Sequence, residues 1–170
     1  MVRRMPPGHD GNESVWSRPD WLAQSRLLLE SFARLLGRQL VPHETDARET
    51  ARRLFHAPFV VVSHGTEADP VLNYGNATAL ALWEMTPERF IRTPSRLTAE
   101  PVCREERARL LARTLRDGYV SDYAGVRVSS TGRRFRIEQA IVWNLTDDAG
   151  THRGQAATFS AWTPLPAHGG

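Results

Sequence analysis

The stretch RRFRIEQAIVWN, residues 133–144, alternates between apolar and polar side chains along most of its length. A period of two indicates a β-strand, because successive side chains of a strand point to opposite faces. The alternation predicts that five side chains share one face: Phe135, Ile137, Gln139, Ile141 and Trp143. Turn signals flank the stretch, SSTG at residues 129–132 and DDAG at residues 147–150. We therefore predict a long central strand joined by tight turns to a neighbour on each side.

Four further strands are predicted around this one. The preceding strand covers residues 120–128, and the last strand covers residues 154–162. Two short apolar runs occur earlier in the chain, FVVVS at residues 59–63 and VLNY at residues 71–74, with a polar turn between them. In the preceding strand, the alternation predicts one face made of Val120, Asp122, Ala124, Val126 and Val128.

Helical segments are predicted between the two opening and the three closing strands. Asn76 and Thr86 are both suitable N-caps, since their side-chain oxygens accept a hydrogen bond from an otherwise unpaired helix N–H. A longer helix is predicted over about residues 102–117, and Gly118 is expected to end it. Its inward face is predicted to carry Ala108, Leu111, Ala112 and Leu115. This order predicts an α+β fold, a five-stranded antiparallel sheet with helices on one face, and it resembles the PAS arrangement.

The chain divides into four predicted segments. Residues 1–18 are expected to be disordered, 19–53 to form an N-terminal helical extension, 54–162 to form the PAS-like core, and 163–170 to be a tail. The first helix of the extension has an apolar stripe made of Leu22, Leu28, Leu29, Phe32, Leu35 and Leu36. Such a stripe either packs on the sheet or forms a homodimer, and both alternatives stay open.

Composition and charge favour an ordinary globular protein. The chain of 170 residues is 41% hydrophobic and 24% charged. No window approaches the ~20 apolar residues needed to span a bilayer, and no secretion signal is recognised, so we expect a cytoplasmic protein and no membrane partner. The net charge is only +3, and arginines alternate with acidic residues, as in REER at residues 104–107. That pattern favours a solvated helix face over a nucleic-acid interface.

Eight blocks of sequence carry a more specific resemblance. They are APFVVVSHG (57–65), NYGN (73–76), LWEM (82–85), PSRLTAEP (94–101), REER (104–107), GRRFRIEQ (132–139), WN (143–144) and GQAATFS (154–160). Together they resemble the bacterial, stand-alone form of the MEKHLA domain, a family described as related to PAS domains. The family also occurs at the end of plant homeodomain-leucine zipper regulators, but this chain shows neither a homeodomain nor sustained heptads. The resemblance therefore implies a sensory or signalling module with no assigned reaction, and it does not imply DNA binding.

Seven residues are candidates for a ligand site between the sheet and the helices: Gln139, Gln155, Asn73, Tyr74, Trp83, Arg96 and Trp143. Gln139 and Gln155 are expected on inward strand faces, where a buried amide needs hydrogen-bond partners from the protein or from a ligand. Arg96 lies in the predicted loop opposite the sheet. It either clamps an anionic group or pins the loop to Glu100 or to a backbone carbonyl. The aromatic residues either line a pocket or fill the core.

The sequence contains few of the residues that known cofactors and reactions require. Cys103, the single cysteine, lies in no photosensor motif, which disfavours covalent flavin chemistry. The long helix contains no histidine to ligate haem, and the loop after the first strand is a weak candidate for a metal site. Ser63 and His64 point to opposite faces of a strand, which argues against a nucleophile–base pair. Asp122, on an apolar strand face, remains as a candidate acid or base.

Three functions stay open. The first is a PAS-like sensory or signalling module that binds an unidentified small molecule between the sheet and the helices. It would signal through the N-terminal helix, a homodimer contact or a separate output partner. The second is a ligand-free protein-interaction or dimerisation module, and the third is a small cone-fold enzyme that uses Asp122.

Overall fold

The computed structural model describes residues 15–100 and 103–167. The helices in these ranges are α1 (Pro19–Leu36), α2 (Ala47–Phe55), α3 (Ala77–Trp83), α4 (Pro87–Phe90) and α5 (Arg104–Asp117). The strands are β1 (Val60–His64), β2 (Leu72–Gly75), β3 (Tyr119–Val128), β4 (Arg134–Thr146), β5 (His152–Phe159) and β6 (Ala161–Pro164). Short 3-10 turns occur at Val15–Ser17 and Ser95–Thr98. Among the described helices, none has the length and apolar character needed to cross a membrane.

The strands form one antiparallel sheet in the order β2-β1-β5-β4-β3. This confirms the predicted five-stranded antiparallel sheet. The predicted last strand is divided at Ser160, and the short strand β6 continues the pairing along β4, with Trp162 opposite Ile137. Because β6 includes Thr163 and Pro164, the predicted tail begins too early. Residues 168–170 of that tail lie outside the described range.

Helices cover both faces of the sheet. Val142 on β4 packs with Leu110 of α5, whereas the next residue, Trp143, packs edge-on against Phe32 of α1 with ring centroids 5.0 Å apart. Since neighbouring residues of a strand point to opposite faces, α5 and α1 lie on opposite sides. The apolar stripe of α1 is thus used within the chain, with Leu28 and Phe32 fully buried. A homodimer through α1 stays a prediction.

Two bulges interrupt the pairing of β3 with β4. Val120 pairs with Val142, Tyr123 with Ala140, and Gly125 with Ile137, so each strand has one extra residue, first β3 and then β4. A bulge reverses which side chains face inward beyond it. The predicted inward orientation of Gln139 is therefore wrong, and that residue is exposed. Likewise the predicted inward face of β3 is wrong beyond Val120, because the side chains of Tyr123 and Arg127 point inward instead.

Two other predictions differ from the structure. Helix α5 buries Leu110 and Thr114, whereas Leu115, predicted to face inward, is 58% exposed. The inward face of α5 therefore differs from the predicted one. Arg107, one turn before Leu110, also faces the interior. A search for apolar periodicity misses this face because it does not place a charged residue inside. At the N-terminus, Val15 is fully buried in a 3-10 turn, so the predicted disorder does not hold there. The rest of that prediction, residues 1–14, lies outside the described range.

The entry to α3 is fixed by Asn76, which is fully buried. Its Oδ1 accepts hydrogen bonds from the N–H groups of Val61 and Ala79, each at 3.1 Å. Its Nδ2 donates to the carbonyls of Leu54 at 3.2 Å and Phe59 at 2.8 Å. The predicted N-cap is confirmed, and the same side chain also ties β1 and the end of α2 to α3.

Candidate functional site

A cavity of about 70 Å³ lies between the inner face of the sheet and the layer formed by α3, α4 and α5. Most of its wall is apolar and includes Leu72, Trp83, Phe90, Leu110, Ile137 and Phe159. One water molecule needs about 10–15 Å³ measured in this way, and pockets for drug-sized ligands measure roughly 300–1,000 Å³. The space therefore suits a few waters or a compound of a few non-hydrogen atoms.

Two arginine side chains line this cavity. Arg127 on β3 is 8% exposed, and its guanidinium lies 5.5 Å from the ring centre of Tyr123. It donates to the Val126 carbonyl at 2.9 Å and to the Tyr123 hydroxyl at 3.3 Å. Arg107 on α5 donates to the Ser95 hydroxyl. Burial and then the charge of Arg127 lower the pKa of Arg107 to about 10, so the Arg107 side chain is still cationic at neutral pH.

His64, at the end of β1, adds a third basic group to the wall. Its Nδ1 lies 2.9 Å from the Gly65 carbonyl oxygen. Its Nε2 is buried and has no hydrogen-bond partner within the described ranges 15–100 and 103–167. Burial is the main cause that lowers the pKa of His64, and the charge of Arg107 adds to it. The imidazole is therefore neutral at pH 7 and, with its proton assigned to Nδ1 by the Gly65 contact, presents Nε2 as an acceptor.

Gln155 lines the cavity, where its amide meets Asn144 and not Gln139. Its Nε2 donates to the Leu111 carbonyl of α5 at 2.9 Å and to Asn144 Oδ1 at 3.0 Å. Asn144 in turn donates to the Thr114 carbonyl at 2.9 Å. These amides join β4 and β5 to α5, so protein groups supply the hydrogen-bond partners that a buried Gln155 needs.

Of the other predicted ligand residues, only Trp83 lines the cavity. Tyr74 and Trp143 face α1 on the opposite side of the sheet, where they pack against Trp21 and Phe32. Asn73 also belongs to that side, since its Oδ1 accepts from Gln24 of α1 at 3.3 Å. The sequence pattern alone does not predict that these three side chains lie on the α1 side of the sheet.

Arg96 and Asp122 also lie away from the cavity lining. Arg96 is on the surface and pins its loop through an ion pair with Asp69 at 3.1 Å, not through Glu100 or a backbone carbonyl. Asp122 is exposed on the β3 bulge, so it lacks the enclosed position that a cone-fold enzyme would require. Within the described residues, no group of three potential metal ligands is found.

Comparison with solved structures defines the class of fold. The crystal structure of the PAS domain of a protein from Colwellia psychrerythraea aligns with a TM-score of 0.58 and 12% identity, covering 69% of this chain and 95% of that one. A light-oxygen-voltage domain structure, described in connection with a flavin analogue, aligns with a TM-score of 0.54 and 13% identity over 69% of this chain and 85% of that one. At this identity the similarity shows the fold alone. The chain has a PAS-type α+β fold.

Sequence comparison then defines the family. The MEKHLA domain family matches residues 22–164, and the chain belongs to that family. The homeobox-leucine zipper protein ATHB-9 of Arabidopsis thaliana is 31% identical over 98 residues, 58% of this chain and 12% of that protein. ATHB-14 of the same plant is 26% identical over 156 residues, 88% of this chain and 18% of that protein. The chain thus spans less than a fifth of these relatives. Since both are plant proteins, the bacterial form stays a prediction.

A flavin, suggested by the light-oxygen-voltage fold, does not fit the site. The three fused rings of a flavin are drug-sized, and the cavity of about 70 Å³ is several times smaller than pockets of that class. Cys103, which is half-buried, is not among the residues that line the cavity.

Proposed function

We propose that this chain is a cytoplasmic sensory module that binds a small molecule between its sheet and its helices. The single observation that carries the proposal is the cavity, whose wall is apolar apart from a few inward polar groups. That composition is usual for small-molecule sites. Protein interiors are otherwise packed as densely as organic crystals, so a pure interaction module has no need of this space.

The sheet offers a short route from the cavity to α1. On β1, His64 lines the cavity while the preceding Ser63 receives a hydrogen bond from Gln24 of α1 at 3.0 Å. On β4, Val142 lines the cavity while the next residue, Trp143, packs on Phe32 of α1. A ligand that displaces the inner side chains therefore alters strands whose outer side chains hold α1. We propose that α1 reports the bound state to a separate output partner or to a second copy of the chain.

Native mass spectrometry of the purified protein, combined with hydrogen exchange of α1, tests this function. We expect a bound small molecule and changed amide protection in α1 after its removal. Ala140→Leu should fill the cavity and abolish the bound species, because Ala140 is fully buried in the cavity wall. Ala81→Leu is the matched control, since Ala81 is exposed on α3.

A wild-type protein that retains no compound, and takes up none from a panel of small anions and neutral molecules, would contradict the proposal. That result would favour the ligand-free interaction module. The exposed position of Asp122 supports a function without catalysis by that residue.

A further inference from the structure

We infer that the ligand of this cavity is a small carboxylate anion of a few carbon atoms, held by Arg107 and Arg127. The inference rests on the proposed function and adds the chemical class of the ligand.

The first support is positive charge that has no direct ion-pair partner. Among the described residues, those that line the cavity include two arginines and a histidine but no aspartate or glutamate. The nearby carboxylates have other partners, Asp69 with Arg96 at 3.1 Å, Glu67 with the Val71 N–H at 3.3 Å and Glu100 with Arg134. From a distance, the charge of Asp69 still raises the pKa of Arg107 and that of Glu67 raises the pKa of His64. Within residues 15–100 and 103–167, neither Arg107 nor Arg127 makes an ion pair. Buried charge without a partner is costly, so an anion in the cavity would offset an existing penalty.

The second support is unused hydrogen-bonding capacity. A guanidinium has five N–H donors, and the hydrogen bonds of Arg127 and Arg107 with Val126, Tyr123 and Ser95 use only part of that set. His64 is 9% exposed, and its Nε2 has no partner in the described part of the chain. This atom can accept a hydrogen bond from a ligand hydroxyl, or take up a proton together with the anion.

Shape and wall chemistry favour a carboxylate over inorganic phosphate. A planar carboxylate matches the flat fork of a guanidinium through two parallel hydrogen bonds. The apolar wall around Leu72, Ile137 and Phe159 suits a short alkyl group and offers nothing to the remaining oxygens of a phosphate. The volume of about 70 Å³ limits the chain to a few carbons. A 2-hydroxy acid would satisfy the arginines and His64 Nε2 together.

Calorimetric titration of the full 170-residue protein in a carboxylate-free buffer tests the inference. The probes are acetate, lactate, inorganic phosphate and the neutral isostere lactamide. We expect binding in the order lactate, acetate, phosphate, with lactamide at least tenfold weaker than lactate, equivalent to about 1.4 kcal/mol. Arg127→Gln and Arg107→Gln should each weaken lactate at least tenfold, whereas Arg113→Gln, at an exposed position of the same helix as Arg107, should not.

Circular dichroism of each variant shows whether it is folded, and Arg127→Lys keeps the charge and should retain part of the affinity. Lactamide binding equal to lactate binding, or full affinity in both folded glutamine variants, would overturn the inference. A neutral compound found by native mass spectrometry would overturn it while leaving the proposed function standing. If none of the four probes binds and the purified protein carries no compound, both the inference and the proposed function fail.

Discussion

Asp122 on β3 and Gln139 on β4 occupy the two bulges on either side of the pair Tyr123–Ala140, and both have a left-handed backbone, with φ of 60° and 52°. The second bulge restores the register that the first one shifts. After its bulge, β3 turns a different set of side chains inward from the set that strict alternation predicts. As a result, Tyr123 and Arg127 reach the cavity. The inward position of Arg127 therefore depends on two strained residues that do not line the cavity.

We expect the bulge at Gln139 to tolerate glycine but not a β-branched residue. Gln139→Val should lower the free energy of unfolding by about 1–2 kcal/mol, because a β-branched side chain is strained at positive φ. Urea denaturation measures the loss. Glu138→Val is the control, since Glu138 is also exposed on β4 but is not among the positive-φ residues. Equal losses in the two variants would argue against strain at position 139.

The buried state of His64 predicts a dependence of stability on pH. Burial lowers its pKa below the ordinary 6.5; the Gly65 carbonyl and Glu67 act in the opposite direction, while Arg107 and His152 lower it further. The unfolded chain therefore binds more protons between the two pKa values. It follows that the free energy of unfolding falls as the pH drops below about 6.5.

Urea denaturation from about pH 7.5 to about pH 5 in a carboxylate-free buffer tests this dependence. His64→Gln should flatten the profile relative to the wild-type protein. His43→Gln, at an exposed position in the loop before α2, should leave it unchanged. A His64→Gln profile parallel to that of the wild-type protein would show that another group is responsible.

Gly154 is expected to be essential where β5 meets β1. Its φ is 135°, and a Cβ atom there would lie well inside van der Waals contact with the carbonyl oxygen of His64. Gly154→Ala should cost more than about 3 kcal/mol, because backbone must move to relieve the clash. Gly150→Ala, at φ 78° but with no atom within 4 Å of its Cβ position, should cost only about 1 kcal/mol. Thermal unfolding of both variants checks this, and similar losses would refute the steric explanation.

Asn76 should be irreplaceable for a different reason, since all four hydrogen bonds of its side chain are made with backbone groups. Asn76→Ala is expected to cost about 2–4 kcal/mol, because it leaves buried donors and acceptors unpaired. Asn76→Asp should be comparably harmful, since an oxygen would then face the carbonyls of Leu54 and Phe59. Asn73→Ala, at a half-buried position, should cost less than about 1 kcal/mol. A mild effect of Asn76→Asp in chemical denaturation would contradict this account.

Local signals were sufficient to predict the order of the elements. The capping residues Asn76 and Thr86 and the helix-ending Gly118 act through neighbours a few residues away, so the sequence reveals them. Much of the site depends instead on contacts between distant residues. The bulge at Gln139 exists only in the pairing of β4 with β3, and no local pattern marks it.

The sequence also does not predict that two charged residues, Arg107 and Arg127, line the cavity. Arg107 belongs to a run that is typical of a solvated helix face, and only its neighbours in space show that it faces the interior. Arg127 lies between Val126 and Val128, and the alternation of apolar and polar residues predicts that the valines face inward. Gln155 was found because an amide within an apolar strand is unusual in the sequence itself.

The docked position of α1 affects how the domain can associate with other proteins. Because α1 is joined covalently to the core, it competes for the outer face of the sheet as a tethered ligand. A covalently attached segment reaches its own binding face at a higher effective concentration than a free partner does. A partner that binds α1 through Leu28 and Phe32, or binds the sheet face around Trp143, must first detach the helix. A weakly binding partner therefore cannot displace the helix. The affinity that a partner needs is set by the free energy with which α1 packs on the sheet.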